Sequence, residues 1–479
     1  MAVSDFIRRA LSRLTPQDSI EKKLDVKIAT SDVMDNAIEL WSHMYDNSPP
    51  WRGGRANVIP LNLPAAISEE MARLVMTEFS LEVTGSARAD YINEQLQNGL
   101  ENLDNFMELY CAKGGICMKP YVSGNTISID FTQANRFYPT AYNSNKEITG
   151  AVFVETMRRG EYLYTRLEYH NLEGTDYTIV NRAFRSEKIN SQMSDDDYIT
   201  VTQPFMTPVS LTEVEEWANL TEEPVTIGNV ERPLFVYVKI PRANNVDTYS
   251  PLGASIYSRA VEVIEQADRQ FSRILWEYEA TEAAIHASED LFDSDNKGRP
   301  ILPAGRERLY RAFDFETASG KGSFFQEYAP AIRDSSLFSG LNKYFQRIEF
   351  LCGLSYGTIS DPQQIEKTAE EIRTSKQRSY TVVSRIQSAW DKAFTNLLYS
   401  MDVLCSLYSL APAGSYEKTT TWGDGVLEDV DKEYQRRWAM VLSGKYKLEK
   451  FYAWYFNCTE EEAKELIPEA PAGNYPPPE

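Results

Sequence analysis

Two helical patterns in this chain run much longer than the ~11–12 residues of an average helix. From about residue 252 to 287, Ile256, Ala260, Ile264, Ala267, Phe271, Ile274, Leu275 and Tyr278 recur on one apolar stripe. Glu262, Glu265, Asp268, Arg269, Arg273, Glu277, Glu279 and Glu282 are expected mostly away from that stripe. At 1.5 Å per residue the helix would span roughly 54 Å. It therefore needs an equally long partner surface, from another segment or another subunit. The second pattern follows the loop LSYGTISDP and continues to about residue 410. Ser360 or Asp361 can cap it, and Pro362 suits its first turn. Its first half, QQIEKTAEEIRTSKQRSY, is polar on nearly all sides, whereas VVSRIQSAWDKAFTNLLYSMDVLCSLY is richly apolar. That asymmetry suits a helix that starts beside solvent or a cavity and then enters a core.

Between these patterns, residues 288–333 change character repeatedly. Arg299, Arg306, Arg308 and Arg311 are followed by acidic and Gly/Ser turns and then FFQEY. This predicts a small β-containing module inserted between two helices. The returning helix, about 335–352, puts Leu337, Leu341, Tyr344, Phe345, Ile348 and Leu351 on one face, with Gly353 as its C-terminal stop. Upstream, the chain is mainly helical to about residue 112, through PAAISEEMARLVMTEF and ADYINEQLQNGLENLDNFMELYC. Gly114-Gly115 breaks the pattern. ICMKPYV and TISIDFT then flank Ser123-Gly124-Asn125 as a hairpin, and AVFVETM, EYLYTRLEYH and DYTIVNRAF form a meander. Residues 113–240 are thus a mostly antiparallel β region whose tyrosines suit half-exposed faces. The tail from about 428 predicts short helices, one stopped by Ser443-Gly444 and one capped by Thr459 with Glu462, before a flexible PEAPAGNYPPPE. The fold class is α+β.

Composition narrows the chemistry. There are 49 Lys+Arg against 70 Asp+Glu in 479 residues, a net charge of −21, which argues against wrapping nucleic acid through general basic charge. No apolar run approaches the ~18 residues of a membrane span. The opening MAVSDFIRRALSRL lacks the apolar core of a secretory signal and suggests a short amphipathic basic helix packed on its own protein. The five cysteines, Cys111, Cys117, Cys352, Cys405 and Cys458, are scattered and read as reduced thiols, with Cys117 buried in a strand. His43, His170 and His286 are the three histidines, too few for His-rich metal sites and unfavourable for Ser-His-Asp catalysis. No P-loop and no H-E-x-x-H is present. Asp293 to Gly298 imitates the start of an EF-hand loop but fails at Lys297 and Ala304. Asp195-Asp196-Asp197 reads as a solvated acidic loop, with a divalent ion the lesser alternative. No catalytic residue, metal or cofactor is implied.

The order of a long helix, an inserted module, a returning helix, a loop and a very long helix resembles the portal proteins of tailed bacteriophages. PLGASIYSRAVEVIEQADRQFSRILWEYE, after an NN-x-D…SPLG lead-in, looks like the descending stem helix of that family. GLSYGTIS…EKTAEEIRTSKQRSYTVVSRIQSAW looks like its tunnel loop running into the long wing helix. AKGGICMKPYVSGNTISID with ITGAVFVE resembles its β-rich wing, and the likeness spans about residues 40–465.

The resemblance implies a portal fold with this division. Residues 1–252 would be a wing, helical and then β-rich over 113–240. Residues 253–287 would be the stem helix, 288–334 the clip and 335–352 the returning stem helix. The tunnel loop would be 353–362, the long helix and wing 363–427, and the crown with its tail 428–479. Ile256, Ile264, Phe271, Ile274, Leu341, Phe345 and Ile348 would pack the stem. Arg299, Arg306, Arg308 and Arg311 would dock partners at the clip. Ser355, Tyr356, Gly357, Thr358, Ser360, Asp361, Gln363, Gln364 and Lys367 would face DNA. The protein would be a non-enzymatic homo-oligomeric ring, typically twelve-fold, at one capsid vertex of the virion, assembled in the host cytoplasm. Its partners would be capsid and scaffolding proteins, terminase, head-completion and tail proteins, and double-stranded DNA in transit, with no membrane. An acidic channel wall would repel phosphates and keep passage smooth, with local attraction at Lys367, Arg373 and Lys376. Two other readings remain: a different head–tail structural protein, or a carbohydrate-active hydrolase using an acidic pair.

Overall fold

The structure is a computed structural model and describes residues 16–53, 57–186, 207–288, 291–297, 299–302, 309–313, 325–361, 369–423, 430–456 and 459–466. Helices α1 (Pro16–Leu24), α2 (Asp32–Tyr45) and α3 (Leu63–Met76) come first, then strand β1 (Ser80–Thr84), α4 (Ala87–Gly99) and α5 (Leu103–Lys113). The β region holds β2 (Gly115–Ser123), β3 (Thr126–Gln133), β4 (Phe137–Tyr142), β5 (Ile148–Arg159), β6 (Tyr162–Glu173), β7 (Asp176–Arg185), β8 (Thr207–Val209), β9 (Val225–Ile227) and β10 (Val236–Lys239). Then follow α6 (Val261–Ala280), β11 (Ala284–Ser288), β12 (Tyr310–Phe313), β13 (Phe325–Tyr328), α7 (Asp334–Cys352), α8 (Ala369–Leu407) and β14 (Glu417–Thr421). The fold is mixed α+β, and it separates into two compact units, Met1–Thr421 and Trp422–Glu479.

In the first unit the β region is built as its turns dictate. Gly124, at φ +62°, closes the β2–β3 hairpin, and Gly160 and Gly174 turn the β5–β6–β7 meander. The larger sheet runs β4-β5-β6-β7-β8 with β9 on β7, and a second sheet runs β10-β2-β3. Among the described residues every pairing is antiparallel except β11 with β12. Gly114 ends α5 at φ +84°, and a Cβ there would sit 2.6 Å from the Gly253 carbonyl. This close approach brings the SPLG segment against the α5–β2 junction, where the Ile256 amide donates to the Cys111 carbonyl at 3.0 Å.

The core joins that junction to α8. Tyr110 meets Trp390 edge-on at 5.4 Å, and both are fully buried. Val383, Ile386, Phe394, Leu397, Met401 and Cys405 extend the buried face of α8, whereas Lys376, Gln377, Tyr380 and Thr381 near its start are exposed. Over its described residues α8 thus passes from a mostly exposed start to a buried face. Its lead-in, Pro362 to Thr368, lies outside the described residues, as do Met1 to Thr15 and Asp195-Asp196-Asp197.

The long helix expected at 252–287 is shorter at both ends. Residues 256–260 are turns pinned to α5, and Thr281 caps α6 before the chain becomes β11. The expected stripe also needs correction. Ile256, Ala260, Ile264, Ala267 and Ile274 are buried, Phe271 and Leu275 half-buried, and Tyr278 exposed. Glu265, Asp268 and Glu277, expected on the outer face, are buried instead. Their carboxylates find partners: Asp268 accepts the Trp51 Nε1–H at 2.7 Å and the Leu61 amide at 2.9 Å, and Glu277 takes a two-pronged contact from Arg333. β1 and β14 form a two-stranded sheet that the helical reading of the first 112 residues did not contain.

The second unit holds α9 (Val430–Leu442), α10 (Leu448–Phe456) and α11 (Glu460–Leu466). Gly444, at φ +68°, follows the end of α9. Phe451 is its buried centre, 5.2 Å from both the Tyr434 and Trp438 rings.

Candidate functional site

The loop between α7 and α8 is built around one carboxylate. Glu349, 0% exposed near the end of α7, accepts the Ile359 and Ser360 amides on Oε1 at 2.8 and 2.9 Å. Its Oε2 accepts the Ser360 hydroxyl at 2.9 Å. About two turns earlier, Asn342 Oδ1 accepts the Asp361 amide at 2.8 Å. Three good donors make burial of a carboxylate tolerable.

Glycines make the path possible. Gly353 ends α7 at φ +84°, where a Cβ would press Val382 of α8 at 2.9 Å, and Gly357 turns the loop at φ +86°. The Thr358 hydroxyl donates to the Ser355 carbonyl at 2.7 Å, and the Gly357 amide to Ser360 Oγ at 3.2 Å.

Arginines hold the base. Arg242 donates to the Ile256 carbonyl at 3.0 Å and the Leu351 carbonyl at 2.8 Å, so the approach to α6 and the end of α7 share one side chain. Burial, and next the Arg259 charge, lower its pKa. Arg378 of α8 lies over the rings of Phe350, at 4.6 Å, and Tyr356, at 5.5 Å. Arg347 covers Phe350 at 5.3 Å. Cys352 beside them is a free thiol pushed up to about 12 by burial, far from nucleophilic.

Of the residues expected to face DNA, Ser355, Tyr356, Gly357 and Thr358 are half-buried and Asp361 is exposed. Ser360 is buried, because its hydroxyl serves Glu349 and so anchors the loop. Gln363, Gln364 and Lys367 lie outside the described residues. Lys376 is exposed; the side chain of Arg373 is not described.

The inserted module is the three-stranded sheet β12-β11-β13. Arg311 is exposed on β12, over the Tyr328 ring at 5.6 Å. Arg299 is exposed in a turn that Asp295 fixes by accepting the Lys297 and Arg299 amides at 2.8 Å each. Arg306 and Arg308 lie outside the described residues. Of the expected stem residues, Ile256, Ile264, Ile274, Leu341 and Ile348 are buried, and Phe271 and Phe345 half-buried. Helices α6 and α7 pack on each other.

The NN-x-D…SPLG lead-in has a physical basis. Asn244 Oδ1 accepts the Val246 and Asp247 amides, and Asp247 Oδ1 accepts those of Tyr249 and Ser250. Asp247 also takes the Ser31 hydroxyl at 2.6 Å, and Ser31 caps α2. Burial opposes ionisation of Asp247, but the Ser31 and backbone donors outweigh it and lower its pKa.

Residues 27–470 match the family described as Phage portal protein, SPP1 Gp6-like. The chain belongs to this family. Its role is that of a portal protein, a structural component of the bacteriophage virion associated with the head–tail connector and DNA packaging. A comparison with curated proteins finds no match. Among the described residues no group of three His, Cys, Asp or Glu could hold a metal ion, and no helix is long and apolar enough to cross a membrane.

Sequence reading did not find Glu349, Asn342 or Arg242. Glu349 sits between Ile348 and Phe350, where periodicity marks only the apolar neighbours, so no local signal exposes its role. Arg242 follows Pro241 in an irregular stretch.

Proposed function

We propose that the chain forms a closed ring, typically twelve-fold, at one capsid vertex, and that double-stranded DNA enters and leaves through its centre. In this reading α6 and α7 within 253–287 and 335–352 are the stem, and 288–334, with Arg299, Arg306, Arg308 and Arg311, is the clip where terminase and then head-completion and tail proteins dock. Residues 353–362 are the tunnel loop, and α8 within 363–427 spans the wing formed with 1–252. Residues 428–479 are the crown. Assembly with capsid and scaffolding proteins takes place in the host cytoplasm. The net charge of −21 favours smooth passage of DNA over tight binding.

The observation that carries the reading is the order helix, inserted sheet, returning helix, clasped loop, long helix in a chain matching the portal family over residues 27–470. Exposed Trp276, Phe338 and Tyr380 on those helices support neighbours in a ring. The test is to tag the chain and image assembled particles. Label at a single vertex is expected; label spread over the capsid surface would overturn the assignment.

A further inference from the structure

We propose that Glu349 is the positioning residue of the α7–α8 loop, and that residues 359–361 move as a rigid extension of α7 rather than with α8. This rests on the tunnel-loop reading only for its consequence in DNA passage; the clasp itself stands on geometry. The second limb of the loop hangs from α7. Glu349 takes three donors from Ile359 and Ser360, and Asn342 takes a fourth from Asp361. These acceptors are buried, so the bonds are shielded from competition by water. The contacts to α8 described for the first limb are of another kind. Arg378 reaches the Leu354 carbonyl at 3.4 Å and stacks on Tyr356, both in the first limb of the loop. A stacked guanidinium can slide on a ring, whereas a buried carboxylate with three donors cannot exchange partners without leaving polar groups unpaired. A shift of α8 would therefore pull at Leu354 and Tyr356 while Ile359 to Asp361 kept their place on α7. Arg242 ties Leu351 to Ile256, so the same rigid body includes the approach to α6.

The experiment is amide hydrogen exchange on the assembled full-length protein. Glu349→Ala should speed exchange at Ile359 and Ser360 by about tenfold or more without a comparable change elsewhere. Ser360→Ala, which removes one of the three donors and keeps the Glu349 carboxylate on the Ile359 and Ser360 amides, should give a smaller rise and guards against misfolding of the first variant. Asn342→Ala should act at Asp361. Arg378→Ala should loosen Leu354 to Tyr356 and leave Ile359 to Asp361 unchanged. Unchanged exchange in both Glu349→Ala and Ser360→Ala, or equal acceleration of Ile359 to Asp361 by Arg378→Ala, would overturn the proposal. Genome retention in particles carrying Glu349→Gln separates the two ideas. Faster exchange with unchanged retention upholds the clasp and removes the tunnel-loop reading.

Discussion

Lys119 in the β region and Glu349 in the helical region are both nearly removed from solvent, yet their surroundings differ. Lys119 bonds Glu168 at 2.6 Å, and Glu168 also meets Arg166 at 3.2 Å and His170 at 2.8 Å. His170 passes the chain to the buried Tyr177 hydroxyl at 2.6 Å. Burial opposes ionisation of Glu168, but Lys119 and then His170 and Arg166 outweigh it and hold its carboxyl well below the ordinary range. Charge here is balanced between the two sheets, with Lys119 on β2 meeting Glu168 on β6. Around Glu349 the partners are backbone amides and a hydroxyl, and the same helices leave large apolar rings open. Trp276 is 63% exposed, with Phe338, Phe350 and Tyr380 also exposed. The β region pairs its buried charges internally, while α6, α7 and the start of α8 leave large apolar rings exposed, the surface that the proposed ring would cover.

Breaking the balanced network should have the largest effect. Glu168→Gln leaves Lys119 buried beside Asp130 alone, at 3.6 Å, and should destabilise the fold by about 3–5 kcal/mol in denaturant unfolding. Asp268→Ala should cost about 2–3 kcal/mol, since the Trp51 and Leu61 donors lose their acceptor. Next comes a pH effect on α2. Asp35 is raised to about 7 by burial and then by the Glu39 and Asp32 charges; Glu39 is raised to about 7 by burial, against Lys113. Folded-state carboxyl pKa values above the unfolded ones mean the native state holds more protons between about pH 4 and 7. Stability should therefore fall as pH rises through that window. Asp35→Asn should remove at least about 1.4 kcal/mol of that fall, read as unfolding midpoints at pH 5 and pH 8. Trp276→Ser should be smallest for the isolated chain, within about 0.5 kcal/mol. Its effect on assembly should be large, read by sedimentation. A variant that unfolds the chain instead would erase the contrast between the two regions.

Much of this was legible from sequence wherever periodicity or turn chemistry speaks locally. The Gly124 hairpin, the meander, the stop at Gly353 and the two-faced α8 all follow from neighbouring residues. Long-range pairing did not. β14 is EKTTT, too short and polar to announce a strand, and its partner β1 lies over three hundred residues away. Buried acids also escaped, because Glu265, Asp268 and Glu349 look like surface residues until Trp51, Leu61 or Ser360 arrives from elsewhere in the chain. That a loop follows α7 was legible from Gly353 and the turn residues after it; its anchor was not, and Ser360, expected to face DNA, is part of that anchor.

The central claim is a ring. Electron images of the purified full-length protein, with a mass measurement under native conditions, test it most directly. The account predicts closed rings with a central hole and a mass that is a whole multiple of 54.6 kDa. A stable monomer at high concentration, with no ring in virions or proheads, would contradict it.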